Sequence, residues 1–150
     1  MKKIARVIFA VVAVVLAVAS LAACNGKEGS KSDVFKIGGI GPLTGTTASY
    51  GISVQNGAQI AVDEINEAGG VKGLKLELIF EDDEGDEEKA VSAYNKLMDE
   101  GMQALVGAVT SNPCIAVAEE SKKDGILQIT PSGSSKDCTK YSNGFRICFT

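Results

Sequence analysis

The sequence predicts an α/β protein, a three-layer α/β/α arrangement with a doubly wound, mostly parallel sheet. Three observations predict it. From Val34 onward, short apolar runs alternate with segments of helical period, and that alternation implies parallel strands with crossover helices on both faces. The run Ala104–Val109 is apolar throughout, as a central strand buried on both faces is. Glycines follow the helical segments at Gly69-Gly70, Gly101 and Gly125, where helices end.

Each element has its own justification. Val34–Gly41 (VFKIGGIG) is short, apolar and ends in glycines, which reads as the first strand. Pro42–Thr47 is a loop by its turn chemistry. From about Ala48 to Ala68 a helical period puts Val54, Ala58, Ala61, Val62 and Ile65 on one face. Leu74–Leu78 alternates apolar and polar residues, suiting a strand near a sheet edge. Glu87–Glu100 is the next helix, with Ala90, Tyr94, Leu97 and Met98 on one stripe. After the Ala104–Val109 strand, a third helix is expected to begin near Pro113, a residue favoured at the first helical position, and to run to about Lys123. Ile126–Thr130 and Phe145–Thr150 are the fourth and fifth strands.

The first 33 residues carry a different pattern. Lys2, Lys3 and Arg6 precede an apolar run of 13 residues, Val7–Ala19, which is short for a permanent membrane span. Residues 1–23 are therefore expected to be a secretory signal. Leu21-Ala22-Ala23-Cys24 resembles a bacterial lipobox, in which the cysteine is lipidated and the preceding peptide removed. The other reading is an ordinary signal in which Cys24 is incidental. Residues 24–33, polar and rich in Gly and Ser, are expected to form a flexible tether. Loss of the signal would leave 12 of the 15 basic side chains against all 19 acidic ones. The remaining 34–150 segment is long enough to bury one core.

Composition narrows the chemistry. With 45% hydrophobic and 23% charged residues, the chain is neither disordered nor fibrous. A net charge of −4 with no basic stripe makes nucleic acid an unsuitable partner. There is no histidine, which removes histidine-based triads and the commonest metal ligand together. Export argues against free ATP or NAD, so no cofactor is expected.

In a parallel sheet, ligands bind beyond the carboxyl ends of the strands. Three loops lie there: Gly41–Tyr50, Thr110–Cys114 and Pro131–Ser135. Thr110-Ser111-Asn112-Pro113 offers two hydroxyls, an amide and a helix N-terminus suited to an anion. Alternatively, Ser111 or Asn112 only caps the helix. Pro131-Ser132-Gly133-Ser134-Ser135 is a second polar loop, in which Gly133 has no side chain to block close approach; an ordinary solvated loop would look the same. Tyr50 could wall a pocket or be a partly buried residue at a helix start. Together these groups include no base, nucleophile pair or metal cluster, so they suit binding and not catalysis. Two other motifs fail. Gly39–Gly45 has its third glycine misplaced for a dinucleotide fingerprint and lacks the lysine of a phosphate loop. The acidic stretch Glu81–Glu88 lacks the ligand spacing of a calcium loop and reads as a solvated face favoured by a helix dipole.

IGGIGPLTGTTASYG (37–51), AVDEINEAGGVKG (61–73), EDDEGDEEKAV (81–91), LVGAVTSNPCIAVAEE (105–120) and ILQITPSGSSKDCT (126–139) appear in this order and spacing. In these stretches the chain resembles the N-terminal lobe of the branched-chain-amino-acid type of ABC transporter substrate-binding protein, a type I periplasmic binding protein of the Leu/Ile/Val-binding family. The resemblance implies an amino acid ligand, a permease partner and a two-lobe protein that closes on its ligand. It implies that Ser111 and adjacent amides hold the carboxylate. Ser132 and Ser134 would serve the amino and carboxylate ends, and Tyr50 would line the cleft. The family continues for roughly as long again to a second lobe, and this chain ends within its expected fifth strand, so the second-lobe groups are expected to be missing. Lipidation at Cys24 would hold the protein to the outer face of the cell membrane. An extracellular sensor domain of the same fold is the alternative use.

Setting Cys24 aside leaves Cys114, Cys138 and Cys148, an odd number. Cys138 and Cys148 could bridge a short loop in an exported protein, although Cys148 is expected in a strand, which weighs against it. Cys114 falls in a first helical turn, where a dipole lowers a thiol pKa, but the expectation is a small buried apolar residue.

Overall fold

A computed structural model of the chain describes residues 34–149. The expected signal, Cys24 and the tether lie outside the described residues. The described residues form a five-stranded, all-parallel sheet in the order β2-β1-β3-β4-β5. The strands are β1 (Val34–Gly41), β2 (Lys75–Asp82), β3 (Ala104–Val106), β4 (Leu127–Thr130) and β5 (Gly144–Arg146). The helices are α1 (Ala48–Glu67), α2 (Glu87–Asp99) and α3 (Ser111–Asp124), with a short 3-10 helix at Lys136–Thr139. No described helix is long and apolar enough to cross a membrane.

The strand order follows from the crossovers. The chain steps from β1 to β2 on one side, then from β2 past β1 to β3 and on to β4 on the other. Right-handed connections therefore put α1 on one face and α2 and α3 on the opposite face. Residues along β1 report both faces. A Cβ at Gly38 would meet Met102 and Leu97 beneath α2, whereas one at Gly41 would meet Val109 and approach Gly51 of α1. The glycines of β1 thus let side chains from both layers close onto a central strand.

The main core lies between the sheet and the α2/α3 layer. It contains Ile40, Ala90, Ala93, Tyr94, Leu97, Met102, Leu105, Ala108, Cys114, Val117 and Cys138. The stripe expected on α2 is the one that packs: Ala90, Tyr94 and Leu97 are buried and Met98 borders the core. Burying a side chain of Leu or Tyr size contributes roughly 1.5–3 kcal/mol. Asp86 caps α2 by accepting the Lys89 N–H (2.9 Å), and Glu87 and Glu88 in its first turn suit the helix dipole. The Tyr94 hydroxyl donates to Asp124 at the end of α3 (2.9 Å). That joins the two helices and, with burial, pushes the phenol pKa well up.

Four expectations are corrected. The third strand ends at Val106, not Val109, because Gly107 takes a φ of 142°, a conformation that favours glycine. A Cβ at Gly107 would lie 2.4 Å from the Ile40 carbonyl oxygen. Helix α3 begins at Ser111, two residues before Pro113. The fifth strand is Gly144–Arg146 and leaves Ile147 and Phe149 exposed. On α1, Val54, Ala58 and Val62 turn inward at four-residue spacing, while Ala61 and Ile65 are exposed. The fourth-strand and edge-strand expectations hold: β4 spans Leu127–Thr130, and β2, longer than expected, is a sheet edge.

The two faces of the sheet are covered unequally. Register puts Val106, Ile129 and Phe145 on one face, opposite that of the buried Leu105 and Gln128. On this face α1 packs against β1 and β2. Leu127 and Phe145 beyond it are exposed.

Candidate functional site

The carboxyl ends of β1, β3 and β4 deliver the three expected loops to one edge of the sheet. The first is held by carboxylates. Asp82, at the end of β2, accepts the Leu43 N–H (2.8 Å) and the Thr44 hydroxyl (2.7 Å). It also accepts the Glu84 N–H (2.8 Å). Burial opposes its charge, but these hydrogen bonds prevail and hold its pKa below the ordinary value. Asp83 is fully buried, and burial pushes its pKa up. One of its oxygens accepts the Gly85 N–H (2.8 Å) and the other has no partner. The acidic stretch is therefore not one solvated face: Glu84–Glu88 are exposed, but Asp82 and Asp83 face the fold. Among the described residues no cluster of three or more acidic or cysteine side chains could hold a metal.

The second and third loops are bonded into one unit. Ser132 donates its hydroxyl proton to the Val109 carbonyl (2.7 Å). Thr130 donates to the Ala108 carbonyl (2.8 Å) and accepts the Gly133 N–H (3.0 Å). The Ser135 N–H donates to Ser111 Oγ (3.3 Å). Behind the loop, Arg146 of β5 donates from Nη1 to the carbonyls of Ser134 and Ser135 (2.9 Å each). The Ser134–Ser135 peptide unit is thus held from two sides, by a guanidinium on its oxygen and by Ser111 on its N–H.

Ser111 is half-buried in the first turn of α3. It is not the cap: Thr110 occupies the N-cap position and makes no side-chain capping bond. The Thr110 hydroxyl is buried without a partner. Pro113 has no N–H, so the helix end presents the Ser111 and Asn112 N–H groups. Asn112 is exposed beside them. Ser134 is exposed and Ser132 half-buried. Tyr50, in the first turn of α1, is 60% exposed and so is not the partly buried residue of the alternative reading. Gly133 differs from expectation. It is buried, and an added Cβ would meet Thr130 Oγ1 at 2.7 Å and Cys138 Sγ at 3.0 Å. Its missing side chain makes room for the core beneath the loop.

Hydroxyl polarity decides what each serine can offer. Ser132 has committed its proton to a carbonyl and keeps lone pairs, so what it has left to offer is an acceptor. Ser111 has accepted an N–H and keeps its proton, so it donates. Adjacent strand ends thus present one donor beside a helix N-terminus and one acceptor. The sequence reading missed Arg146, and it gave no sign that Ser135 would bond to Ser111 or that the Thr110 hydroxyl would be buried without a partner. One signal for Arg146 was available: it is the only arginine beyond the expected signal segment.

Among the described residues no cysteine is bridged. Cys114 and Cys138 are buried free thiols, and Cys148 is a half-buried one. Burial and the neighbouring Cys138 push the Cys114 thiol up to about 12, so it is a buried apolar-like residue and not a nucleophile activated by the helix dipole. A cleft of about 440 Å³ lies at the opposite, amino end of β1 and β2, lined by Phe35, Ile37, Val71 and Leu76 among others.

Comparison with known proteins places this geometry. A family model described as periplasmic binding protein matches residues 34–150. The Leu/Ile/Val-binding protein BraC3 of Rhizobium johnstonii is 46% identical over 114 residues, covering 75% of this chain and 31% of the relative. The leucine-, isoleucine-, valine-, threonine- and alanine-binding protein of Pseudomonas aeruginosa is 37% identical over 118 residues, covering 79% and 31%. The crystal structure of the branched-chain amino acid transporter substrate-binding protein LivJ from Streptococcus pneumoniae, in complex with isoleucine, superposes with a TM-score of 0.72 at 34% identity. That superposition covers 77% of this chain and 34% of LivJ. The chain thus spans about a third of the length of these relatives, which are binding proteins and not enzymes. With the family model covering the whole sheet and its strand-end loops, the chain belongs to the periplasmic binding protein family, and its similarity runs to branched-chain amino acid binding proteins within it.

Proposed function

We propose that this chain forms the first lobe of a receptor that captures an amino acid, with branched-chain side chains preferred, outside the cell for an ABC importer. The observation that carries the reading is the opposed polarity of Ser111 and Ser132. Ser111 donates to a carboxylate that also meets the amides of Ser111 and Asn112 at the start of α3. Ser132 accepts from the ammonium. Ser134, exposed on the same loop, adds a hydroxyl, and Tyr50 walls the cleft from the first turn of α1. Gly133 serves from below by letting the loop sit close on Thr130. Relatives support the ligand class: LivJ is in complex with isoleucine, and a Desulfitobacterium hafniense substrate-binding protein is in complex with Leu.

Tyr50, Asn112 and Ser134 are exposed, which suits one lobe of a closing pair. The permease partner, the lipid on Cys24 and the place on the outer face of the membrane belong to the same proposal. They are supported by the ordered basic, apolar and small-residue segment before Cys24. Several acyl chains give stable attachment where one is marginal. Calorimetric titration of the two-lobe form of the protein against all amino acids tests the ligand class. Heat only with non-amino-acid solutes would refute it. Mass spectrometry of the membrane fraction tests the anchor, and an unmodified Cys24 or cleavage elsewhere would remove it.

A further inference from the structure

Two sulfurs beneath the candidate site take no part in ligand binding. Cys114 sits in the first turn of α3, directly after the Ser111–Pro113 segment, and Cys138 sits in the 3-10 helix that follows the Pro131–Ser135 loop. Both are buried, at 0% and 1% exposure, in the same core cluster. Three observations put them against each other. A Cβ built on Gly133 would lie 3.0 Å from Cys138 Sγ and 3.5 Å from Cys114 Cβ, so both border one small space under the loop. Cys138 Sγ points at the Ser111 carbonyl (3.7 Å), one turn before Cys114. Cys138 is also near enough to Cys114 to help raise its thiol pKa.

We propose that Cys114 and Cys138 are a disulfide site that staples the first turn of α3 to the loop after β4, fixing the two serine loops relative to each other. The oxidant is itself a disulfide, either of an exported thiol–disulfide oxidoreductase or of oxidised glutathione. A Cys138 thiolate attacks one of its sulfurs and expels the first thiol. The Cys114 sulfur, having lost its proton to solvent, attacks the Cys138 sulfur of the mixed disulfide and expels the second. The protein loses two hydrogens, and the oxidant's disulfide becomes two thiols. Because both sulfurs are buried in the closed loop, exchange precedes closure, during folding. An oxidising compartment rests on the export proposed above, whereas the geometry does not. Cys148 is half-buried and lies outside this core cluster.

Trypsin separates the three cysteines onto three peptides, Leu97–Lys122, Asp137–Lys140 and Ile147–Thr150. The full chain is prepared in two ways: exported from a bacterial host with alkylation at lysis, and refolded in a glutathione redox buffer. It is then mapped by mass spectrometry without reduction. The expected result is Leu97–Lys122 joined to Asp137–Lys140, two hydrogens lighter than their sum, with Cys148 alkylated. The oxidised chain should melt about 5–10 °C above the reduced one, since the bond closes a loop of roughly 25 residues. Cys138→Ala should remove that difference and leave Cys114 alkylated. If Cys114 and Cys138 are both alkylated in both preparations, or Cys138 is joined to Cys148, the proposal is wrong. A link in the refolded chain alone upholds the site and counts instead against export.

Discussion

Replacing Ser111 by alanine separates ligand binding from helix construction at the one residue that could do either. In the fold, Ser111 Oγ accepts a single long bond from the Ser135 N–H (3.3 Å), and Thr110, not Ser111, holds the N-cap position. Losing an ordinary hydrogen bond at a half-buried position costs about 0.5–1.5 kcal/mol, and the longer distance puts the cost at the low end. Toward a ligand the stakes are larger. The hydroxyl proton is uncommitted, so it donates to a charged carboxylate, a bond worth roughly 1.5–3 kcal/mol. At about 1.4 kcal/mol per decade, affinity should fall by about 10- to 100-fold. The assay pairs calorimetry with leucine, isoleucine and valine against urea unfolding of the same two-lobe preparation. A loss of more than about 1.5 kcal/mol in stability with affinity unchanged would mean that Ser111 is structural and that the polarity argument fails.

Four further outcomes are expected. Gly107→Ala should prevent native folding or cost several kcal/mol, because it forces a Cβ to 2.4 Å from the Ile40 oxygen at a φ of 142°; circular dichroism checks it. Asp83 has a raised pKa in the fold, so its contribution to stability is fully present below its ordinary value and is lost as pH rises through the folded one. Asp83→Asn should therefore gain stability relative to the parent as pH rises above about 4, the ordinary carboxylate range, and parallel melting curves from acid to neutral pH would contradict the burial argument. Cys24→Ala should leave the protein unprocessed or released from membranes, as fractionation and immunoblotting would show. Residues 24–150 alone should bind free amino acids with a dissociation constant on the order of millimolar or weaker. With the ligand's other face in water, Coulomb terms are about 1 kcal/mol at 4 Å, and each unburied CH₂ forgoes about 0.8 kcal/mol. Micromolar binding would show that one lobe suffices.

The layout was legible wherever periodicity and glycine punctuation agreed. The Ala90-Tyr94-Leu97-Met98 stripe and the apolar Leu105 strand buried as their spacing required. What the sequence hid was conformational or long-range. The end of β3 depends on a positive φ at Gly107, and an apolar run through Val109 gives no sign of it. Pro113 suggested a helix start, yet the helix accommodates it two residues in, where its missing N–H costs nothing. Gly133 looked like clearance for a ligand and proved to be clearance for Cys138 and Thr130, since facing up or down is set by the fold and not by the residue. Asp82 and Asp83 looked like their solvated neighbours because composition cannot tell which carboxylate meets a loop amide 39 residues away. Arg146 acts across 12 residues of chain, and no local pattern reports such a contact.

Arg146 also ties the proposed site to an edge strand of the sheet. Its guanidinium reaches the Ser134 and Ser135 carbonyls from β5, a three-residue strand at an open edge. Beyond its register with β4, β5 is anchored by the flanking Asn143, whose amide donates to the Ile126 carbonyl (2.8 Å) and to Ser121 (3.3 Å). Edge strands of this length fray at low free-energy cost. When β5 peels away it takes the cation with it, and the loop carrying Ser132 and Ser134 loses its rear support. Apparent affinity then scales with the docked fraction: a strand docked about one-tenth of the time makes ligand capture about tenfold weaker without altering one contact to the ligand. Conversely, a bound amino acid that needs the loop in place holds the strand down. Hydrogen exchange at the Gly144–Arg146 amides should therefore slow on ligand addition, making the sheet edge a gauge of occupancy at a site it does not touch.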